Sequence, residues 1–297
     1  MGLIMAGFVR ENTIYCGDRI KEVSIINYSD GQLKYNRSGK RGKRVNVSAP
    51  KQQNLNDRHA REYLRQLLAA NFSEPGSGYH VTLTYDRDSL PADPDEADKI
   101  ADLYLRRLKT EYKRRGAEMK YVIITSYNYS RRTGELVRLH HHLVISSGID
   151  RLYIKNQWRK PLDKVKDKDY RNYPWFLKYG IRRGERYGIC NCDELEPDDS
   201  GLGGLSEYLK NQPREASKRR WRSSQNLRKP QKAPPNDDKY SRRQVEKICR
   251  QPFDVQFWER KYPGWTVARP HDCNYEVRYN DFTGWSIFIR FTKKIRE

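Results

Sequence analysis

The stretch Arg138-Leu139-His140-His141-His142-Leu143-Val144-Ile145-Ser146 decides how the rest of the chain is read. It is rich in branched apolar residues, which is the composition of a β-strand. Side chains alternate faces along a strand, so His140 and His142 point one way and His141 the other. Two neutral imidazoles two residues apart on one face make half of a site for a divalent metal. The chain has six histidines, and three of them lie here. The triplet alone leaves open a plainer reading, a half-exposed strand with a chance histidine cluster.

Working outward, the flanking segments alternate between strand and helix patterns. Tyr79-His80-Val81-Thr82-Leu83-Thr84-Tyr85 alternates as a strand does. Pro91 and Pro94 mark a loop, and Ile100, Tyr104 and Leu108 form the stripe of a helix reaching about Gly116. Val122-Ile123-Ile124-Thr125 reads as a strand, and the loop from Asn128 to Glu135 turns it into the histidine strand as a hairpin. Upstream, Asn56 or Asp57 can cap a helix whose apolar face is Ala60, Tyr63, Leu64, Leu67 and Leu68. Downstream, a helix begins near Gly201 with Leu202, Leu205, Tyr208 and Leu209 on one side. Strands are expected around Val23, Ile25 and Tyr28, and a closing hairpin over Tyr275–Tyr279 and Trp285–Phe291. Residues 151–200 mix Trp158, Trp175 and Phe176 with Lys and Arg, a pattern that suits base stacking and an ordinary small core equally well.

At 297 residues the chain can bury a real core. Its 59 basic and 38 acidic residues leave a formal charge of +21, far beyond what solubility needs. Such an excess points to a polyanion, most simply nucleic acid, over an anionic membrane, because no long apolar run stands out. Residues 210–250 hold 14 Lys and Arg against 4 Asp and Glu, with Pro230, Pro234 and Pro235 enforcing extended backbone. The run Arg37-Ser38-Gly39-Lys40-Arg41-Gly42-Lys43-Arg44 is a second basic arm able to grip phosphates. Met1 to Gly7 is too short for a signal peptide before Arg10 and Glu11, so a cytoplasmic location is expected. Five scattered cysteines argue against a disulfide framework, and Cys190-Asn191-Cys192 reads as strand or loop filler.

Three stretches in this order, His80 to Tyr85, Leu139 to Ile145, and Gly204-Leu205-Ser206-Glu207-Tyr208-Leu209-Lys210, resemble the HUH superfamily of single-strand endonucleases. Within it, the chain resembles rolling-circle replication initiators related to the gene II proteins of filamentous phages. Trp221 to Pro230 and Lys239 to Arg243 resemble the same group. The resemblance implies an α+β fold, an antiparallel central sheet with helices mainly on one face. It places the histidines on the open face, opposite the tyrosine helix. The expected division is 1–55 as N-terminal strands and basic arm, 56–212 as the endonuclease domain, 213–250 as a basic DNA-binding segment and 251–297 as a small C-terminal element.

The resemblance further implies a plasmid or phage replication enzyme, a site-specific nickase and ligase acting on single-stranded origin DNA, with host replication machinery as a further partner. Tyr208 would be the nucleophile of a 5′-phosphotyrosine intermediate, with Lys210 beside it, and His140 and His142 would hold Mg²⁺ or Mn²⁺. Arg219, Arg220, Trp221 and Arg222 would grip DNA near the cut. Relatives commonly carry an acidic or polar third ligand on the preceding strand, where Ser126 stands here; Glu135 is the possible substitute. They tend to place a lysine three residues after the tyrosine, where Asn211 stands, and Lys210 points about 200° around the helix. These departures motivate the alternative, a weakened or inactive single-strand DNA-binding protein of the same fold. Tyr208 also lies on an apolar stripe where a core tyrosine would sit, and Tyr179 and Tyr187 are the other candidates. His80 and His59 read as surface or core residues rather than ligands.

Overall fold

The computed structural model describes residues 7–29, 50–130, 132–213 and 221–294. They form two compact units: the described parts of Met1–Glu74, Pro197–Gly203 and Arg228–Glu297, and Pro75–Glu196 with Gly204–Leu227. We call the first the terminal unit and the second the histidine unit. The basic arm at Arg37 to Arg44 lies outside the described residues.

In the terminal unit, β1 (Gly7–Cys16) and β2 (Ile20–Ser29) pair antiparallel through a turn in which Gly17 takes a φ of 73°, a conformation glycine adopts without Cβ strain. β11 (Gly284–Lys293) pairs with the other edge of β2, and β10 (Tyr275–Asn280) with β11. Short strands β8 (Gln231–Lys232) and β9 (Trp265–Val267) add to β1 and β11. Alternation along the strands sends Val9, Val23, Ile25, Ile287, Ile289 and Phe291 into one core. Val245 of α6 (Arg242–Cys249) and Trp258 of α7 (Val255–Lys261) join that core, and α8 (His271–Asn274) leads into β10.

Two sequence expectations change here. The first and last segments, read as separate, share one sheet, because pairing register connects residues far apart in the chain. The upstream helix, α1 (Pro50–Phe72), begins at Pro50, so Asn56 and Asp57 lie inside it rather than at its cap. Its Leu64, Leu67 and Leu68 are buried as the stripe required. Arg65 of α1 and Arg290 of β11 both pair with Glu22 of β2, at 2.8 and 3.1 Å.

The histidine unit is α+β, built on a five-stranded antiparallel sheet. Its strands are β3 (Gly78–Thr84), β4 (Tyr121–Tyr129), β5 (Leu136–Ser146), β6 (Cys190–Glu194) and β7 (Arg222–Ser223), ordered β6-β3-β5-β4-β7. One face carries Val81, Leu83, Ile123, Leu143, Ile145, Cys190 and Cys192. Against it packs α2 (Pro94–Arg114) through Ala101, Tyr104, Leu105 and Leu108, spaced for one helical face. Asp93 caps α2 by accepting from the Glu96 amide at 2.8 Å, and Pro94 follows as the first helical residue. Asp150 caps α3 (Arg151–Asn156), and α4 (Pro174–Tyr179) ends at Gly180, whose φ of 66° is left-handed. Trp158 fills the same core, its Nε1 donating to the Thr84 carbonyl at 2.8 Å. Cys190 and Cys192 are buried strand residues, and all five cysteines are free. No described helix is long and apolar enough to cross a membrane.

The opposite face carries the histidines, and most of it is not open. Val122, Ile124, Ser126 and Val144 on that face are all buried. The physical reason is legible in β4 and β5, whose continuous apolar runs are those of strands buried on both faces.

Candidate active site

Register places the site. In β5, His142 pairs with Thr82 of β3 and Ile124 of β4, while His140 pairs with Thr84 and Ser126. Directly opposed residues in an antiparallel pair share a face, so His140, His142, Ser126 and Thr82 lie together. His80, two residues before Thr82, belongs to the same face, and Asp193 of β6 pairs beside it.

α5 (Gly203–Lys210) brings the tyrosine. Ser206 and Leu209 bury one side of this helix, while Tyr208 stays 51% exposed. Tyr208 is therefore not a core tyrosine of the apolar stripe. Its hydroxyl lies 3.3 Å from His142 Nε2, and the two rings meet edge to face at 5.0 Å. On its other side, His142 Nδ1 lies 3.3 Å from His80 Nε2, with those rings stacked at 5.5 Å. His140 stands against His142 at 4.8 Å between ring centroids. The His80 reading is thus corrected: it is part of the cluster. Strand alternation alone could have suggested it, but only the β3–β5 register shows which histidine it meets.

The ring nitrogens of the cluster are held by specific partners. His140 Nδ1 donates to the Arg138 carbonyl at 2.5 Å, which leaves Nε2 as the lone-pair nitrogen. Burial, then the neighbouring His140 and His80, push His142 down to about 3, so its ring stays uncharged at neutral pH. Ser126 Oγ is buried and has no hydrogen-bond partner among the described residues, one cross-strand step from His140. A buried oxygen beside two imidazoles is a partial donor set that fits a divalent cation of the Mg²⁺ or Mn²⁺ class. Among the described residues, no three His, Cys, Asp or Glu side chains form a ready metal cluster. The remaining ligands would have to be oxygens from solvent or from a phosphate.

His141 does different work on the other face. It is fully buried, and burial pushes it down to about 3. Its Nε2 lies 2.8 Å from the Tyr85 hydroxyl and its Nδ1 3.0 Å from Thr125 Oγ1. Thr125 donates to Asp98 at 2.5 Å, and Asp98 also accepts from Arg222 at 3.0 Å. This chain fastens β5 to β4, α2 and β7. His141→Leu is expected to cost about 1–3 kcal/mol, because two buried polar partners lose a hydrogen bond. Urea unfolding checks it: the midpoint should fall with an unchanged slope.

The other expected site residues are placed as follows. Lys210 forms an ion pair with Glu207, and Asn211 donates to Glu207 at 3.1 Å. Gln212 donates to the Tyr208 carbonyl at 3.2 Å. Glu135 is exposed in the hairpin and accepts from Thr133. Tyr187 packs on Tyr85 and Trp158 in the core, and Tyr179 on Tyr153, so neither meets His142. His59 is exposed on α1. Arg222 is held by Asp98 and Asp102, and Trp221 is half-buried just before it. Arg219 and Arg220 lie outside the described residues.

No curated protein and no solved structure matches the chain significantly. Residues 78–212, which carry His80, His140, His142 and Tyr208, match a family described as replication-associated protein ORF2/G2P. The match runs from the first residue of β3 to Gln212, two residues beyond α5, and so spans the histidine–tyrosine cluster but not Arg222. Over this stretch the chain is similar to the replication-associated protein ORF2/G2P family.

Proposed function

We propose that the chain is a rolling-circle replication initiator that nicks single-stranded origin DNA by transesterification. The observation that carries this reading is the Tyr208 hydroxyl held 3.3 Å from a buried neutral imidazole, within the family segment. The phenolic oxygen bonds to phosphorus and the phosphorus–O3′ bond breaks. The phenol gives up a proton and the released 3′ oxygen takes one, so the ester is conserved as 5′-phosphotyrosine and can be religated. His142 orients the hydroxyl, and the neighbouring Gln212 amide braces the helix end. His140 and His142 would hold a divalent ion with Ser126 nearby; such an ion, when bound, polarises a phosphate oxygen. To ligate, His142 must release one of its two ring contacts, to His80 or to Tyr208. The net charge of +21 supplies the attraction for the DNA backbone.

The second reading, a binding protein that does not cut, is favoured by one feature: Lys210 and Asn211 both engage Glu207. One experiment separates the two. Purified protein incubated with single-stranded origin DNA and Mn²⁺ should yield a covalent adduct that survives denaturing electrophoresis, and EDTA should abolish it. Salt-sensitive binding with no adduct under any divalent metal would favour the second reading.

A further inference from the structure

The core face of the terminal unit changes character at one end. Along β2 it runs Lys21, Val23, Ile25, Asn27; along β11, Phe291, Ile289, Ile287, Trp285; along β10, Tyr275, Val277, Tyr279. Register sets Ile289 beside Val23, Ile287 beside both Ile25 and Val277, and Trp285 beside Tyr279. The next step along these rows brings Asn27, Trp285 and Tyr279 together, and they line one recess of about 490 Å³. The aliphatic rows are sealed, but this end is not. Tyr279 is 60% exposed, with its ring 4.9 Å from that of Trp285, and Phe282 at the hairpin tip is 97% exposed.

Asn27 is the second, independent observation. It is only 5% exposed, and its Oδ1 is buried with no hydrogen-bond partner among the described residues. Unpaired buried acceptors are costly and rare in folded proteins. Gly284, at a φ of 81°, keeps the carboxamide clear: a Cβ there would come within 3.2 Å of Asn27 Nδ2. Arg242, Glu246 and Arg250 are spaced four apart along one side of α6, from its first residue to its C-cap, and line the same recess. Glu246 takes up Arg250 at 2.9 Å, and Arg242 donates to the Tyr28 carbonyl at 3.0 Å. Arg243 and Lys247 of the same helix are exposed and form no ion pair among the described residues.

Aromatic faces, a buried amide acceptor and a net positive rim are the parts that recognise a nucleotide: stacking for the base, an acceptor for its edge, cations for its phosphate. We infer that this recess takes one unstacked base of single-stranded DNA, with Asn27 Oδ1 accepting from an exocyclic amine. The inference rests on the reading of the chain as a protein that acts on DNA, and it lies outside the segment matched to the family.

The test uses the full chain and fluorescein-labelled oligo-dC and oligo-dU, which are pyrimidines without a C5 methyl; cytosine carries an exocyclic amine where uracil carries a carbonyl, and oligo-dT serves as a second amine-free strand. Fluorescence anisotropy should show tighter binding of oligo-dC. Phe282→Ala, at a side chain too exposed to affect folding, should weaken binding of every strand about tenfold, as loss of one stacking surface does. Asn27→Leu should remove the dC preference and leave oligo-dU and oligo-dT affinities unchanged. Equal affinities for dC and dU in the wild type, or unchanged binding in Phe282→Ala, would overturn the inference. Adduct formation on a short origin strand is scored in parallel. An adduct with no Phe282 effect removes this site alone; a Phe282 effect and dC preference without any adduct keep the site and remove the nicking reading.

Discussion

Tyr208→Phe is expected to abolish the covalent protein–DNA adduct, with a rate loss on the order of 10³-fold or more, because phenylalanine has no oxygen to attack phosphorus. The substitution removes one hydroxyl and almost no apolar volume. The side chain is 51% exposed and its contact to His142 Nε2 is long, at 3.3 Å, so stability should change little. Binding to single strands should survive, since the basic surface is untouched. Denaturing electrophoresis of the complex after Mn²⁺ incubation reads the adduct; anisotropy reads the binding. An adduct that persisted would require another tyrosine. Tyr187 and Tyr179 sit against other aromatic rings, so persistence would place the reaction away from the histidines altogether. A companion Asn211→Lys should speed adduct formation several-fold if a cation one helical turn from Tyr208 is what this chain lacks, since positive charge favours phenolate.

His142→Ala is expected to slow adduct formation by about 10²–10⁴-fold, through loss of a metal ligand and of the group that orients the nucleophile. His142 is the hub of the site, touching His80 on one ring nitrogen, Tyr208 on the other, and His140 by its edge. The variant leaves the His80 imidazole and the Tyr208 hydroxyl without that partner. Titration with Mn²⁺ checks the assignment: His142→Ala should need more metal and reach a lower plateau, and His140→Ala should do the same. A rate indifferent to EDTA in the wild type would remove the metal from the reading while leaving Tyr208 in place.

Much of the local structure is legible from periodicity. The stripe of Ile100, Tyr104 and Leu108 places α2, with Tyr104 and Leu108 buried and Ile100 partly so, whereas Pro94, which reads as part of a loop, is its first residue. The alternation of Trp285, Ile287, Ile289 and Phe291 marks the last strand and its inward face. Where reading failed, a longer-range interaction decided. The helix at residues 50–72 starts before Asn56 and Asp57, which are good caps in isolation. The face expected to be open is buried over Val122, Ile124 and Val144. His80 reads as a surface or core residue because nothing local marks it as a partner of His142.

By itself the sequence determined that His140 and His142 share a face, since a strand's period of two is a local property of the backbone. It also determined that the chain is strongly basic, that strand and helix patterns alternate along it, and that a tyrosine-bearing helix follows the histidine strand. Only the tertiary structure decided that His80 joins His142, that Ser126 lies buried beside His140, and that Tyr208 turns its hydroxyl to the cluster. It alone decided that His141 fastens β5 to β4, α2 and β7 through Thr125, Asp98 and Arg222, and that residues 7–29 share a sheet with residues 275–293. The reason is the same in each case. Strand register and helix docking are set by contacts between residues tens to hundreds of positions apart, and no short-range period encodes them.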